Sequence, residues 1–131
     1  MTGFPLQTSE VGRKLAVTKR GAVYLVNFDP TVGHEISKTR PALILQNDIA
    51  NRWSPITIVA AITSRFDKPL YPTEVLVSAP EGGLGVDSVV LLNQVRSVDR
   101  RRLVRRLGIL KRETMTRVDQ ALLLSLGLAE V

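Results

Sequence analysis

Apolar positions along the chain fall into short runs divided by turn residues, which is the pattern of strands rather than of long helices. Residues 22–28 are dense in β-branched and aromatic side chains and predict a first strand, stopped by Asp29-Pro30. Pro30 removes a ladder donor and Gly33 can take positive φ, so 29–39 reads as a loop of about eleven residues, long enough to cover a binding site. Arg40-Pro41 then opens a second strand with its apolar run at 42–45, because proline is tolerated at a strand's first residue and holds the residue before it extended. Residues 47–55 make a connector with one helical turn at 48–52, in which Trp53 is predicted to cap the core. The unbroken apolar run 56–62 predicts a strand buried on both faces that delivers Thr63-Ser64-Arg65 to its end.

Two prolines turn the chain within 67–72, and 73–78 alternates as a half-exposed strand. Gly82-Gly83 and Gly85 mark a further turn. A buried strand follows at 88–92, with Asn93-Gln94-Val95-Arg96-Ser97 crowding its end. After a turn at 99–102, Leu103, Arg105, Leu107 and Ile109 alternate in a basic strand. Met115, Val118, Leu122 and Leu126 recur at helical spacing with Gly127 as a stop, so 113–126 is predicted to be an amphipathic helix. Its apolar surface exceeds what one flank of a small barrel needs, which hints at a dimer. Residues 1–19 show neither period and read as a mobile tail or an added extension, leaving 20–131 as one domain.

Composition narrows the chemistry. A chain of 131 residues with 44% hydrophobic content buries one core without staples. The absence of cysteine excludes disulfides, thiolate metal sites and cysteine nucleophiles, and no apolar run is long enough to span a bilayer. A cytoplasmic, membrane-free protein is the expectation. The net charge of +6 points to a polyanionic partner, and nine of the basic residues lie between Arg96 and Arg117 against only Asp99 and Glu113. One histidine cannot make a zinc site or a paired-histidine nuclease, the acids are scattered singly, and there is no Gly-rich phosphate loop.

What remains for phosphodiester chemistry is a route without metal or cofactor, in which the 2′-hydroxyl of RNA attacks its own phosphorus. That needs a cation on the phosphate, a donor for the developing charge and a proton acceptor. Arg40 suits the first need through its planar fork, and Thr63 or Ser64 the second. Arginine's pKa, above about 12, makes it a poor proton shuttle, so Glu35 or His34 is favoured as acceptor. Taken singly, Arg40 also fits a structural ion pair with Glu35 or Asp29, and Thr63 a strand-end hydrogen bond.

Arg20-Gly21-Ala22-Val23-Tyr24, Asp29-Pro30-Thr31-Val32-Gly33-His34-Glu35, Thr39-Arg40-Pro41-Ala42-Leu43, Gln46-Asn47-Asp48, Ala61-Ile62-Thr63 and Asn93-Gln94-Val95-Arg96 resemble, in order, the motifs of the MazF/PemK toxins. The similarity runs from about Arg20 to Leu128. It implies a mainly β (α+β) fold, an SH3-like barrel of six or seven strands with a C-terminal helix, as a homodimer. It also implies a sequence-specific, metal-independent endoribonuclease that cuts single-stranded mRNA, leaving a 2′,3′-cyclic phosphate or 3′-phosphate and a 5′-hydroxyl. The implied partner is a cognate antitoxin whose acidic extended tail fills the RNA groove, with DNA contacted only through that complex. By position, the family's essential arginine falls on Arg40 and its essential threonine on Thr63; family proposals make that arginine the acid and base itself, against the pKa argument. The His34-Glu35 pair is similar to the PemK branch, but that branch's later arginine and aspartate fall on Leu91 and Asn93, and Ile36 stands where a glutamine is common. RNA contacts are assigned to Thr31, Ser64, Arg65, Tyr71, Asn93 and Gln94, loop positions suited to splayed single-stranded bases. Two other readings share the barrel: a non-catalytic nucleic-acid-binding module, and a CcdB-like gyrase poison.

Overall fold

The computed structural model describes residues 18–35 and 37–130; residues 1–17 of the tail expected at 1–19, and the departure at Ile36, lie outside the described residues. Six strands form one antiparallel sheet: β1 (Ala22–Asn27), β2 (Thr39–Ile44), β3 (Ile56–Thr63), β4 (Glu74–Val77), β5 (Ser88–Asp99) and β6 (Leu103–Ile109). A short helix α1 (Asp48–Trp53) joins β2 to β3, and α2 (Arg112–Ser125) ends the fold. The order across the sheet is β4-β5-β3-β2-β1-β6. Side chains alternate, so the sheet supports two cores. On one face Val23, Leu43, Ile62, Val90 and Leu92 pack under Val118 and Ala121 of α2. On the other, Val26, Phe28, Ala42, Ile44, Val59, Ala61 and Val89 line the inside of the curl.

The edge strands β4 and β6 do not pair, and a 3-10 turn, Glu81–Gly83, packs against β6 to close the gap. Backbone meets backbone there: a Cβ on Gly108 would lie 2.6 Å from the Gly82 carbonyl carbon, so only glycine lets the turn dock. At the other end of α2, Gly127 takes φ of 74° while the Gly127 and Leu128 amides donate to the carbonyls of Leu124 and Leu123, at 3.1 and 2.8 Å. This is a Schellman stop, as the glycine predicts. The first turn of α1 is capped by Asn47, whose side-chain oxygen accepts the Ala50 amide at 2.9 Å, worth about 1 kcal/mol.

Four expectations change. Trp53 is 57% exposed, beside Ile49 on the outer side of α1, and caps nothing. Thr18, predicted to lie in the tail, is buried and hydrogen-bonded to Arg100. Residues 93–97 do not end a strand, because β5 runs on through Asp99. The basic strand β6 does not alternate cleanly, since its pairing with β1 shifts register twice. Within the basic stretch, Arg100 is only 2% exposed, its Nη1 donating to the Asn51 carbonyl at 3.0 Å, and burial pushes its guanidinium below the usual arginine range. No helix among the described residues is long and apolar enough to cross a membrane.

Candidate active site

Pairing between β2 and β3 runs Ile44↔Val59, Leu43↔Ala60, Ala42↔Ala61 and stops there. Pro41, the next residue, has no N–H to offer, so the two strands part at that point. Carrying the register two residues further sets Arg40 across from Thr63, on the same face as Ala42 and Ala61. The two tips thus stand on either side of an opening on the inner face of the curl. Arg40 is exposed, and its hydrogen bond among the described residues is a long one, Nε to the Ser37 carbonyl at 3.4 Å. The ion pair with Glu35 or Asp29 does not form: among the described residues the ion pairs are Arg20–Asp119 and Arg101–Asp99. The Thr63 Oγ1 accepts the Arg65 amide at 3.1 Å, which fixes its rotamer and leaves its proton available to a ligand.

Beside this opening lies a cleft of about 370 Å³ lined by Phe28, His34, Glu35, Ala61, Asn93, Gln94, Val95 and Arg96. Asn93 and Gln94 reach it through a bulge. Ala60 pairs with Val95 and Ile62 with Val90, so β5 carries Leu91–Gln94 against Ala61 alone. Leu91 and Leu92 meanwhile follow β4, through Glu74↔Leu91 and the Leu92 amide on the Thr73 carbonyl at 2.9 Å. The bulge bends β5 and turns Asn93 and Gln94 out over the cleft. Leu91, by contrast, is buried in the inner core.

The β1–β2 loop supplies the opposite wall. Its tip is a turn in which the Glu35 amide donates to the Val32 carbonyl at 3.2 Å, while Glu35 Oε1 accepts the Val32 amide at 2.7 Å. One carboxylate oxygen therefore holds the turn, and His34 and Glu35 are both exposed to solvent. The structure brings His34, Glu35, Asn93 and Gln94 together in the cleft; Arg40 and Thr63 do not line it and stand at the ends of β2 and β3, at opposed register positions. Ser64 and Arg65 are exposed just past Thr63, half-buried Thr31 lies in the loop, and Tyr71, 72% exposed, lies on the β3–β4 connection. None of these four lines the cleft. Phe28 and Arg96 were not singled out as binding residues, yet both do; the sequence signals were an aromatic at a strand end and the arginine of Asn93-Gln94-Val95-Arg96.

Fold and site define a small SH3-like barrel whose open face gathers a guanidinium, a hydroxyl, a carboxylate and amide side chains. The model of PemK-like, MazF-like toxins of type II toxin–antitoxin systems matches residues 19–126. Endoribonuclease EndoA of Bacillus subtilis (strain 168) is 46% identical over 114 residues, covering 87% of this chain and 98% of that protein. The crystal structure of MazF from Deinococcus radiodurans superposes with a TM-score of 0.73 at 34% identity, over 85% of this chain and 97% of that one. A MazE–MazF crystal structure from the same organism gives 0.67 at 30% identity, over 85% and 96%. The chain belongs to the PemK/MazF toxin family and is an endoribonuclease of a toxin–antitoxin system.

Proposed function

We propose that this toxin cuts single-stranded mRNA at a specific sequence without a metal ion, the 2′-hydroxyl displacing the 5′-oxygen of the next nucleotide. The products are a 2′,3′-cyclic phosphate, or the 3′-phosphate from its hydrolysis, and a 5′-hydroxyl. The observation that carries this reading is the Arg40 guanidinium, unpaired with any carboxylate among the described residues, at the register position opposite Thr63 just past the last β2–β3 pair. A fork that is not neutralised by an acid can take two phosphate oxygens and the charge that grows on them. Thr63 supplies a second donor. Glu35 or His34, on the loop across the cleft, takes the 2′ proton.

Asn93 and Gln94 offer hydrogen bonds to bases splayed into the cleft. Thr31, Ser64, Arg65 and Tyr71 extend the contact to flanking nucleotides. The Deinococcus radiodurans relative is crystallised as MazE–MazF, which supports a cognate antitoxin as partner; by the same charge logic the antitoxin offers an acidic extended segment in place of RNA. Leu123, Leu126 and Leu128, exposed at the end of α2, fit a homodimer.

The test is incubation with a long single-stranded RNA in EDTA, with the cut ends chemically defined. Cuts at one motif with 5′-hydroxyl ends, lost by about a hundredfold or more in Arg40→Ala and in Thr63→Ala, are the expected result. Cleavage that needs Mg²⁺, or that survives Arg40→Ala, overturns it.

A further inference from the structure

Pairing of β1 with β6 ends at Val26↔Leu103, and pairing of β1 with β2 at Asn27↔Thr39. Beyond those points the chain enters the loop that carries His34 and Glu35, yet its carbonyls are not left to solvent. Arg102, in the turn before β6, donates from Nη1 to the Asn27 carbonyl at 3.0 Å and, by a very short contact, to the Asp29 carbonyl. Between them, the Phe28 carbonyl accepts Arg96 Nη1 at 3.2 Å, and the Arg96 guanidinium lies 5.7 Å from the Phe28 ring centre. Three successive carbonyls are thus held by two guanidiniums reaching over from β5 and the turn that follows it.

We propose that Arg102 is a positioning residue: it clamps the root of the β1–β2 loop and so sets where His34 and Glu35 stand over the cleft. This deepens the reading of that cleft as the RNA-cleaving site and rests on it. Arg102 does not line the cleft, so an effect on cleavage has to pass through the loop. The loop can transmit it. Its base is tied by the Phe28 amide on the Lys38 carbonyl at 2.9 Å and the Lys38 amide on Asp29 Oδ1 at 2.8 Å, and its tip by the Val32–Glu35 turn. A short arm locked at both ends moves its tip when its root is released. One guanidinium nitrogen carries two hydrogens and so serves both carbonyls; a lysine ammonium has hydrogens enough but sits closer to the backbone and falls short of them. Charge alone places Arg102 with the RNA-binding arginines, whereas the geometry takes it out of that set.

The experiment uses the full chain with Arg102→Ala and Arg102→Lys. Single-turnover cleavage of an RNA oligonucleotide is measured in EDTA, RNA affinity is measured against salt, and backbone amides are followed by hydrogen exchange. Both variants are expected to lose cleavage rate by about 10-fold to 100-fold, the effect of a displacement on the order of 1 Å at a catalytic group. RNA affinity and its salt slope stay near wild type. Protection is lost at 29–38 and kept in β3 and β5, and millimolar guanidinium chloride partly restores the alanine variant. A lysine variant that cleaves at the wild-type rate, a salt slope that falls with affinity, or protection lost across the whole sheet each overturns the clamp. Should the alanine variant fail to fold, Arg102→Lys carries the same test. The exchange arm needs no RNA, so a wild-type chain that proves inactive in EDTA counts against the proposed reaction and leaves the clamp decided separately.

Discussion

Four glycines separate two reasons for needing glycine. Gly85 has no positive φ and nothing within 4 Å of an added Cβ; Gly33 has φ of 60° and equally open surroundings. Gly108 has ordinary φ, but its Cβ would sit 2.6–2.8 Å from backbone atoms of Gly82 and Gly83. Gly83 combines both conditions, with φ of 75° and a Cβ 1.9 Å from the Leu107 carbonyl oxygen. Replacement by alanine should therefore cost within about 0.5 kcal/mol at Gly85, where only unfolded-chain entropy changes. At Gly33 the left-handed backbone costs about 1 kcal/mol. At Gly108 overpacking against atoms that cannot rotate away costs about 2–3 kcal/mol, and at Gly83 the two effects together cost about 3–5 kcal/mol. In a domain whose total stability is about 5–15 kcal/mol, the last value removes from about a fifth of it to nearly all. Urea unfolding followed by circular dichroism reads these as shifts in midpoint at constant slope. A Gly108→Ala chain as stable as Gly85→Ala would show that the Glu81–Gly83 turn does not close the barrel on β6.

Glu35→Gln keeps an acceptor for the Val32 amide and removes the base, so cleavage rate is expected to fall far more than RNA affinity; equal losses in both assign Glu35 to binding. Neutralising Arg105 and Arg106, exposed on β6, should flatten the salt dependence of RNA binding by about 1.4 in log–log slope if each meets one phosphate, leaving the cut site in place. Asp99 is held below the usual carboxylate range by its hydrogen bonds to Arg101, first from the side chain and then from the backbone amide. Its stabilisation is complete above the unfolded carboxylate value and is lost as pH falls through the lower folded value. Asp99→Asn should therefore be less stable than wild type at neutral pH and equal to it in strong acid, a comparison of two urea midpoints; a gap that persists in acid would assign the effect to something other than the charge.

The strands were legible because β-branched runs bounded by Asp29-Pro30, Pro41 and the glycine turn report local geometry directly, as does the Gly127 stop of α2. Trp53 misled because a large aromatic in a connector suggests burial, whereas the polar anchors Asn47 and Asn51 hold α1 with its Ile49–Trp53 side turned outward. Arg96, Arg100 and Arg102 looked like one charged face because sequence counts charge without saying which carbonyls lie within reach. A buried guanidinium under α1 and two more at the loop root depend on chain segments between 49 and 82 residues away.

Arg40, Thr63 and the pair His34-Glu35 could be nominated from residue type and motif order, since a fork, a hydroxyl and a proton acceptor are properties of side chains. Their meeting was a matter of register. A ladder that ends at proline leaves two strand tips facing across a gap, and a bulge in β5 turns amides over the same cleft. Both are pairings between distant strands, and no local pattern encodes them, because each strand's alternation is the same whichever neighbour it meets.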